Sequence, residues 1–424
     1  MANPGNGSWK CSNETFLLCE LAVRIHFFTD YFRPEPPPPA HHIAERARIW
    51  AAMGHDVTVI TNHPNYPEGR IYPGHHNRSR QLSRQDGYSI LRVWTHVAHH
   101  QAKIGKLADH ASYFASATLQ AMRLQRPDVV VATSPHLFCA LAGACYARMR
   151  SRPLLLEVRD LWPDSVLPKG SMAHRVFKAM ERHVYRAASA VSVLTPAFEA
   201  HVLAEGARRA VTIVGGADLS RFTPGDPPAG RRAELELEGA FVVGYPGTLG
   251  TAHDTDLLLE AASELSGSRV RFLLIGGGPF ISELEAKARI RCPGMIRFVP
   301  TQPPDSMPDW WRVMDAGLVL LKKTEAMRTV IPSKMFECMA TQRPIIFVGP
   351  IGAGSAITAE SGGGIVVDGD GPSQLVQALA DLASDPARHG KLAASAFAAS
   401  PRYSRERQAA ETLALLTDLA GARP

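Results

Sequence analysis

The sequence predicts an α/β protein built from two doubly wound, parallel-sheet domains. Three observations carry this. Short β-branched runs alternate with stretches long enough for a helix along most of the 424 residues. Those runs are near-continuously apolar, not strictly alternating, which marks strands covered on both faces. The pattern restarts after "DLSRFTPGDPPAGRRAELELEG", a Pro/Gly/charged stretch that reads as a link between domains.

Taken in order, residues 1–22 read as a loose N-terminal extension. They lack a basic n-region followed by an uninterrupted apolar core, so no signal peptide is expected. Residues 23–218 form a first domain, with strands expected at 23–29, 56–61, 88–94, 128–133, 154–158, 190–194 and 211–215. A linker follows at 219–240. Residues 241–400 form a second domain, with strands expected at 241–247, 270–277, 295–300, 316–321, 344–349 and 364–369. The last segment, 401–424, reads as an amphipathic helix with Leu413, Leu415, Leu416 and Leu419 on or near its apolar side. It packs either near the domain junction or on its own domain alone. Doubly wound sheets bind ligands outside the carboxyl ends of their strands, so the sites are expected there.

Composition narrows the partners. Residues 1–224 carry a balance of +9 and residues 225–424 a balance of −3. A basic first half suits anionic lipid or phosphate, with plain solvated charge as the alternative. The basic residues are dispersed and no recognition motif accompanies them, so no nucleic-acid partner is expected. No apolar run approaches the roughly 20 residues that span a bilayer. The six cysteines, at 11, 19, 139, 145, 292 and 338, show no metal-ligand spacing and read as buried thiols.

The stretch "VIPSKMFECMATQRPII" (330–346) places a lysine where helix starts usually hold acids. With Pro332 at the first helical position, the N–H groups of Ser333, Lys334 and Met335 are expected among the unpaired donors of the first turn. Together with the Lys334 ammonium they make a site for a phosphate or diphosphate. Glu337, one turn further in, suits a ribose diol. An ordinary capped helix is the competing reading. Two glycine turns support the first: "PGTLG" (246–250), with Gly247, Thr248 and Leu249, and "IGGGPF" (275–280), with Gly276 and Gly277. Each follows a strand, where glycine lets backbone approach a nucleotide closely.

With these stretches in view, the chain resembles the retaining family-4 glycosyltransferases of GT-B fold, particularly the WbuB-like branch of bacterial surface-polysaccharide glycosyltransferases. The matching stretches are "FRPEPPPPA", "GHDVTVITNHPNYPEGRIYPGH", "LEVRDLWPDS", "DLSRFTP", "GTLGTAHDTDLLLEAA", "FLLIGGGP" and "IPSKMFECMATQRPII", in the family's order. The resemblance implies two Rossmann-like domains facing a central cleft. It implies a nucleotide diphosphate sugar, UDP- or GDP-linked, bound mostly by the second domain, with no cofactor and no required metal. It also implies a polyprenyl-diphosphate-linked or other glycan acceptor, transfer with retention, and a cytoplasmic enzyme peripheral to the inner face of the membrane. The sequence departs from the family at Thr329, which stands where many members have a glutamate. It departs again at Thr248 and His253, where many have an Arg and a Lys on the donor diphosphate. Lys334 is then expected to supply that charge.

On the first domain, Arg159 and Asp160 end a strand in "EVRDLWPDS" and join Lys334 as catalytic candidates, with Asp164 on the acceptor side. In the competing reading Arg159 pairs with Glu157 or Asp164 and only fixes the turn. Pro38 and His42 lie where many relatives have a loop facing the diphosphate; a stiff polyproline turn is the alternative. Asn65 and Tyr66 belong to "NHPNYPEGRIYPGH", too long for a tight turn and read as an acceptor-side loop or a plain excursion. A nucleotide-sugar epimerase of the same fold and a non-catalytic scaffold in a polysaccharide assembly complex remain the alternatives to transfer.

Overall fold

A computed structural model of the protein describes residues 22–97, 103–164 and 167–421. The N-terminal extension up to residue 21, with Cys11 and Cys19, and Ser165 of the DLWPDS stretch lie outside the described residues. Two compact units emerge. One runs up to Leu156 and takes in Ala179–Ser189 and the chain from Leu415; the other comprises Glu157–Lys178 and Ala190–Ala414.

The first sheet contains β1 (Arg24–Phe28), β2 (Asp56–Asn62), β3 (Arg80–Gln85), β4 (Tyr88–Val93), β5 (Val129–Ser134), β6 (Leu154–Val158), β7 (Ala190–Val193) and β8 (Ala210–Thr212). Its order is β3-β4-β2-β1-β5-β6-β7-β8. Strands β4, β2, β1 and β5 pair in parallel, as do β7 and β8. The expectation of a purely parallel sheet fails at β3, which pairs antiparallel with β4. Its sequence RQLSRQ is largely exposed and has no apolar run, and a two-residue turn at Asp86-Gly87 joins it to β4.

The second sheet contains β9 (Phe241–Pro246), β10 (Val270–Ile275), β11 (Ile296–Val299), β12 (Ala316–Leu320), β13 (Ile345–Val348) and β14 (Gly364–Val367). Every pair is parallel and the order is β11-β10-β9-β12-β13-β14, the doubly wound order of dinucleotide-binding sheets. Both faces are covered. Phe272 and Leu274 enter one apolar cluster while Leu273 and Ile275, alternating with them on β10, enter another. That is why these strands read as continuous apolar runs.

Residues 219–240 are ordered against the second sheet's core. Phe222 and Leu237 are buried there, and Arg232 donates to Val313 O at 2.7 Å and Asp315 at 2.9 Å. The helix Arg405–Gly421 buries Leu413, Leu415, Leu416 and Leu419, and the division between the compact units falls inside it. Cys139, Cys292 and Cys338 are buried free thiols; Cys145 is half-buried.

Candidate functional site

In the second sheet the chain winds outward in opposite directions from β9 and β12, so the carboxyl ends of these neighbours form the switch point where ligands bind. The turn after β9 is sewn to the turn after β10. Gly247 N–H donates to Ile275 O at 2.8 Å, and Leu249 N–H to Gly277 O at 2.9 Å. The approach is so close that a Cβ on Gly276 would sit 2.2 Å from Gly247 O, and one on Gly278 2.1 Å from Leu249 O. Both glycines also have positive φ, 145° and 136°, which side chains disfavour.

This corrects one expectation. Gly247 and Leu249 do not offer their N–H groups to a phosphate, because the neighbouring turn takes them. Gly250 N–H likewise donates to His253 Nδ1 at 2.9 Å. Of the four amides from Gly247 to Gly250, that of the exposed Thr248 is the one left over among the described residues. A cavity of about 180 Å³ opens alongside, lined in part by Gly250, Thr251, His253, Phe280 and Lys322.

Lys334 reaches this turn. Its Nζ lies 3.2 Å from the centroid of the Tyr245 ring at the end of β9, and a Cβ on Gly247 would lie 3.2 Å from it. The His253 ring stands edge-on to the same tyrosine, 5.6 Å between centroids. Burial lowers the Lys334 pKa to about 7, opposed by the charge of Glu337. Burial also lowers that of His253, and the neighbouring Lys334 lowers it further. A half-buried cation held over an aromatic face gains from an incoming anion.

The helix carrying Lys334 begins later than expected, at Lys334 itself, and runs to Ala340. Met335 N–H donates to Pro332 O at 3.1 Å and Phe336 N–H to Ser333 O at 3.1 Å. These tight bonds place Pro332 before the helix and remove Met335 from the unpaired donors. Ser333 is the exposed N-cap residue.

Glu337 has a partner the sequence did not reveal. Trp311 Nε1–H donates to its Oε2 at 2.9 Å. Burial raises the Glu337 pKa, while the Trp311 bond and the charges of Arg405, Lys334 and Arg221 pull it down. A carboxylate offers about four lone-pair sites, so the indole fixes its orientation and leaves room for other donors. Thr329 sits in a short 3₁₀ turn, Glu325–Thr329, its hydroxyl donating to Ala326 O at 3.1 Å, so it supplies no carboxylate here.

The other candidates form separate groups. Arg159 donates to the buried Glu157 at 3.4 Å, the pairing its structural alternative required; Asp160 is exposed. Both Asp164 oxygens are engaged, by His174 Nε2 at 2.8 Å and Lys178 Nζ at 2.7 Å. Burial alone would raise its pKa, but these bonds hold it below the ordinary carboxylate value. His42 is half-buried in the first turns of the helix Pro38–Ala52; Pro38 starts that helix, and its side chain lies outside what is described.

Asn65 and Tyr66 are organised by a residue the sequence reading missed. Glu35 is buried and accepts from Asn65 N–H at 2.8 Å, Tyr66 N–H at 3.0 Å and Phe32 N–H at 3.3 Å. Burial raises its pKa to about 7 against the pull of those amides. The same end of the first sheet holds Asp30, whose Oδ2 lies 3.1 Å from His136 Nδ1. It also holds Asp109, raised to about 7 by burial and then by the charge of Asp30. The one sequence cue was that Glu35 is an acid inside an otherwise Pro-rich stretch.

Two α/β sheets, each with polar groups gathered at its strand ends, define a GT-B architecture. Solved structures that share the fold include a sucrose-phosphate synthase from Thermosynechococcus elongatus (TM-score 0.73, 15% identity, 94% of this chain and 99% of that one). Another is Anabaena Alr3699/HepE in complex with UDP-glucose (TM-score 0.67, 17% identity, 93% and 100%). A third is WaaG, a glycosyltransferase involved in lipopolysaccharide biosynthesis (TM-score 0.66, 14% identity, 93% and 99%). Residues 39–216 match the family "Glycosyl transferase 4-like domain" and residues 240–385 match "Glycosyl transferases group 1". The putative colanic acid biosynthesis glycosyl transferase WcaI of Escherichia coli is 25% identical over 80% of this chain and 84% of its own length. A D-inositol 3-phosphate glycosyltransferase of Rhodococcus opacus is 32% identical, over 45% of this chain and 42% of its own. The chain combines these two glycosyltransferase domains, one after the other, in a GT-B fold.

Proposed function

We propose that this enzyme moves a sugar from a nucleotide diphosphate sugar to a lipid-linked glycan, with retention at the anomeric carbon. The donor class is a UDP-N-acetylhexosamine or a related UDP- or GDP-linked deoxysugar, and the acceptor a polyprenyl-diphosphate-linked sugar or oligosaccharide. The observation that carries the donor half is the Lys334 ammonium poised over Tyr245 beside Gly247, at the switch point of the second sheet. Charge on the leaving diphosphate is what such a transfer must stabilise, and a preorganised cation does this without reorganisation. The Thr248 amide and the N–H groups of Ser333 and Lys334 complete the anion site. Glu337, oriented by Trp311, takes the ribose hydroxyls. The UDP-glucose complex of the structurally similar HepE supports a nucleotide sugar as substrate. Retention, the sugar class and the roles of Arg159 and Asp160 toward the acceptor rest on the family resemblance, and no metal is required by this reading.

A place at a membrane surface is supported by the helix Met172–Ala187. Met172 and Val176 are 74% and 51% exposed, and Lys169, Arg175, Arg182 and Arg186 are exposed around them. Apolar side chains ringed by cations suit an anionic lipid surface. No described helix is long and apolar enough to cross a membrane.

The test is calorimetric titration of UDP, GDP and their sugars into the full chain and into Lys334→Ala. Binding of one nucleotide, weakened in the variant, is expected. If neither nucleotide binds, the donor reading is wrong; sugar conversion without an acceptor would point to an epimerase.

A further inference from the structure

We propose that the carboxyl end of the first sheet is a site for a borderline divalent cation of the zinc class, held by Asp30, His110 and His136. The three residues come from three separate elements. Asp30 follows β1, His110 lies in the helix Lys103–Ala121, and His136 is the N-cap of the helix Leu137–Arg150. One ligand atom from each nevertheless lies within 4.8 Å of the other two. The His110 and His136 rings are 4.7 Å apart. With metal–nitrogen and metal–oxygen bonds of about 2.0–2.2 Å, a cation among these atoms needs only small side-chain shifts.

The surroundings fit a ligand set. Asp30 is 8% exposed, and its other oxygen accepts from Asn62 Nδ2 at 3.3 Å, the kind of outer partner that fixes a ligating carboxylate. Strands β1 and β5 are neighbours from which the sheet order runs outward both ways, so Asp30 and His136 stand at this sheet's own switch point. Two imidazoles and one carboxylate select zinc, cobalt or nickel over magnesium or calcium, which prefer all-oxygen sets. Three protein ligands leave a coordination position for water or a substrate oxygen.

A second cluster shows what a site without room for a cation looks like. Asp164, His201 and Glu205 are equally close together, but Lys178 Nζ already lies 2.7 Å from Asp164 and 3.2 Å from Glu205. That ammonium supplies the positive charge. The inference is independent of the donor site and of the transfer reaction.

The experiment uses metal-stripped full-length protein titrated with Co²⁺, followed by visible absorption, with Zn²⁺ as competitor and metal content measured after dialysis. One equivalent should bind the wild type. His110→Ala and His136→Ala should each weaken it by at least about tenfold, while His201→Ala leaves it unchanged. Asp30→Asn, which keeps the shape, serves if either histidine variant unfolds by circular dichroism; it too should bind more weakly. Absence of stoichiometric binding, full affinity in a folded variant of any of the three residues, or loss of binding in His201→Ala would overturn the proposal.

Discussion

At the end of β9 the second sheet presents backbone: Gly247, Gly276 and Gly278 bring two turns into contact, and a single ammonium, Lys334, rests over Tyr245. At the ends of β1 and β5 the first sheet presents side chains instead, with Asp30, Glu35, Asp109, His110 and His136 gathered there. Both places are switch points of their sheets. One concentrates positive potential for an anion; the other concentrates carboxylates and imidazoles. The same topology therefore fixes where ligands bind, and the residues placed on it decide the sign of the charge they carry.

The sharpest way to break the contrast is to remove the cation over Tyr245. Lys334→Ala should lose about 2–4 kcal/mol of transition-state stabilisation, read as a fall in kcat/KM with the fold intact. Near-normal turnover would remove Lys334 from the site. Glu337→Ala should follow, with about 1.5–3 kcal/mol lost mainly as a raised donor KM, since ribose contacts form in ground and transition states alike. Glu337→Gln should be milder, because the amide oxygen can still accept from Trp311. A lowered melting temperature with unchanged donor affinity would reduce Glu337 to a structural residue.

Breaking the backbone half calls for Gly276→Ala, whose Cβ would collide with Gly247 O in a conformation that already disfavours a side chain. About 1–3 kcal/mol of stability should go, measured by denaturant unfolding. A donor titration across pH sharpens the comparison differently. The Lys334 pKa of about 7 lies below the ordinary 10.5, so above about pH 7 the free enzyme holds a neutral amine. Donor affinity should then fall by up to about tenfold per pH unit. Over the same window the unfolded chain binds the extra proton, so this group's contribution to stability rises with pH. Opposite trends in affinity and stability are the signature; parallel trends would contradict it. The smallest effect is expected from Trp311→Phe, which removes one hydrogen bond to Glu337 and should cost about 0.5–1.5 kcal/mol of donor binding, read as a raised donor KM.

How much of this could be read in the sequence differs between the two regions for a physical reason. The expected strands appear because strands covered on both faces must be apolar throughout, and β10 with its neighbours shows that plainly. Strand β3 escaped because RQLSRQ is held by pairing to β4 alone and has no apolar face to betray it. Lys334 and Glu337 drew notice as candidates because a helix start with an unexpected charge is a local signal. Tyr245 was not: inside the uniformly buried run FVVGYP no alternation tells which residue turns toward the lysine. Trp311 and Glu35 act through partners 26 and about 30 positions away, distances that only the folded chain closes. The amides of Gly247 and Leu249 were misassigned for the same reason, since their acceptors lie on the next turn.

Strand β3 also bears on how copies of this chain behave toward one another in solution. It forms one border of the first sheet, the kind of rim on which another molecule can template a strand. Arg80 and Arg84 stand on that rim in a strand of six residues, so two such borders meeting would bring guanidinium against guanidinium at low dielectric. Such repulsion is expected to oppose pairing of two borders. Replacing both arginines with valine should leave the monomer's fold unchanged and make light scattering grow with concentration.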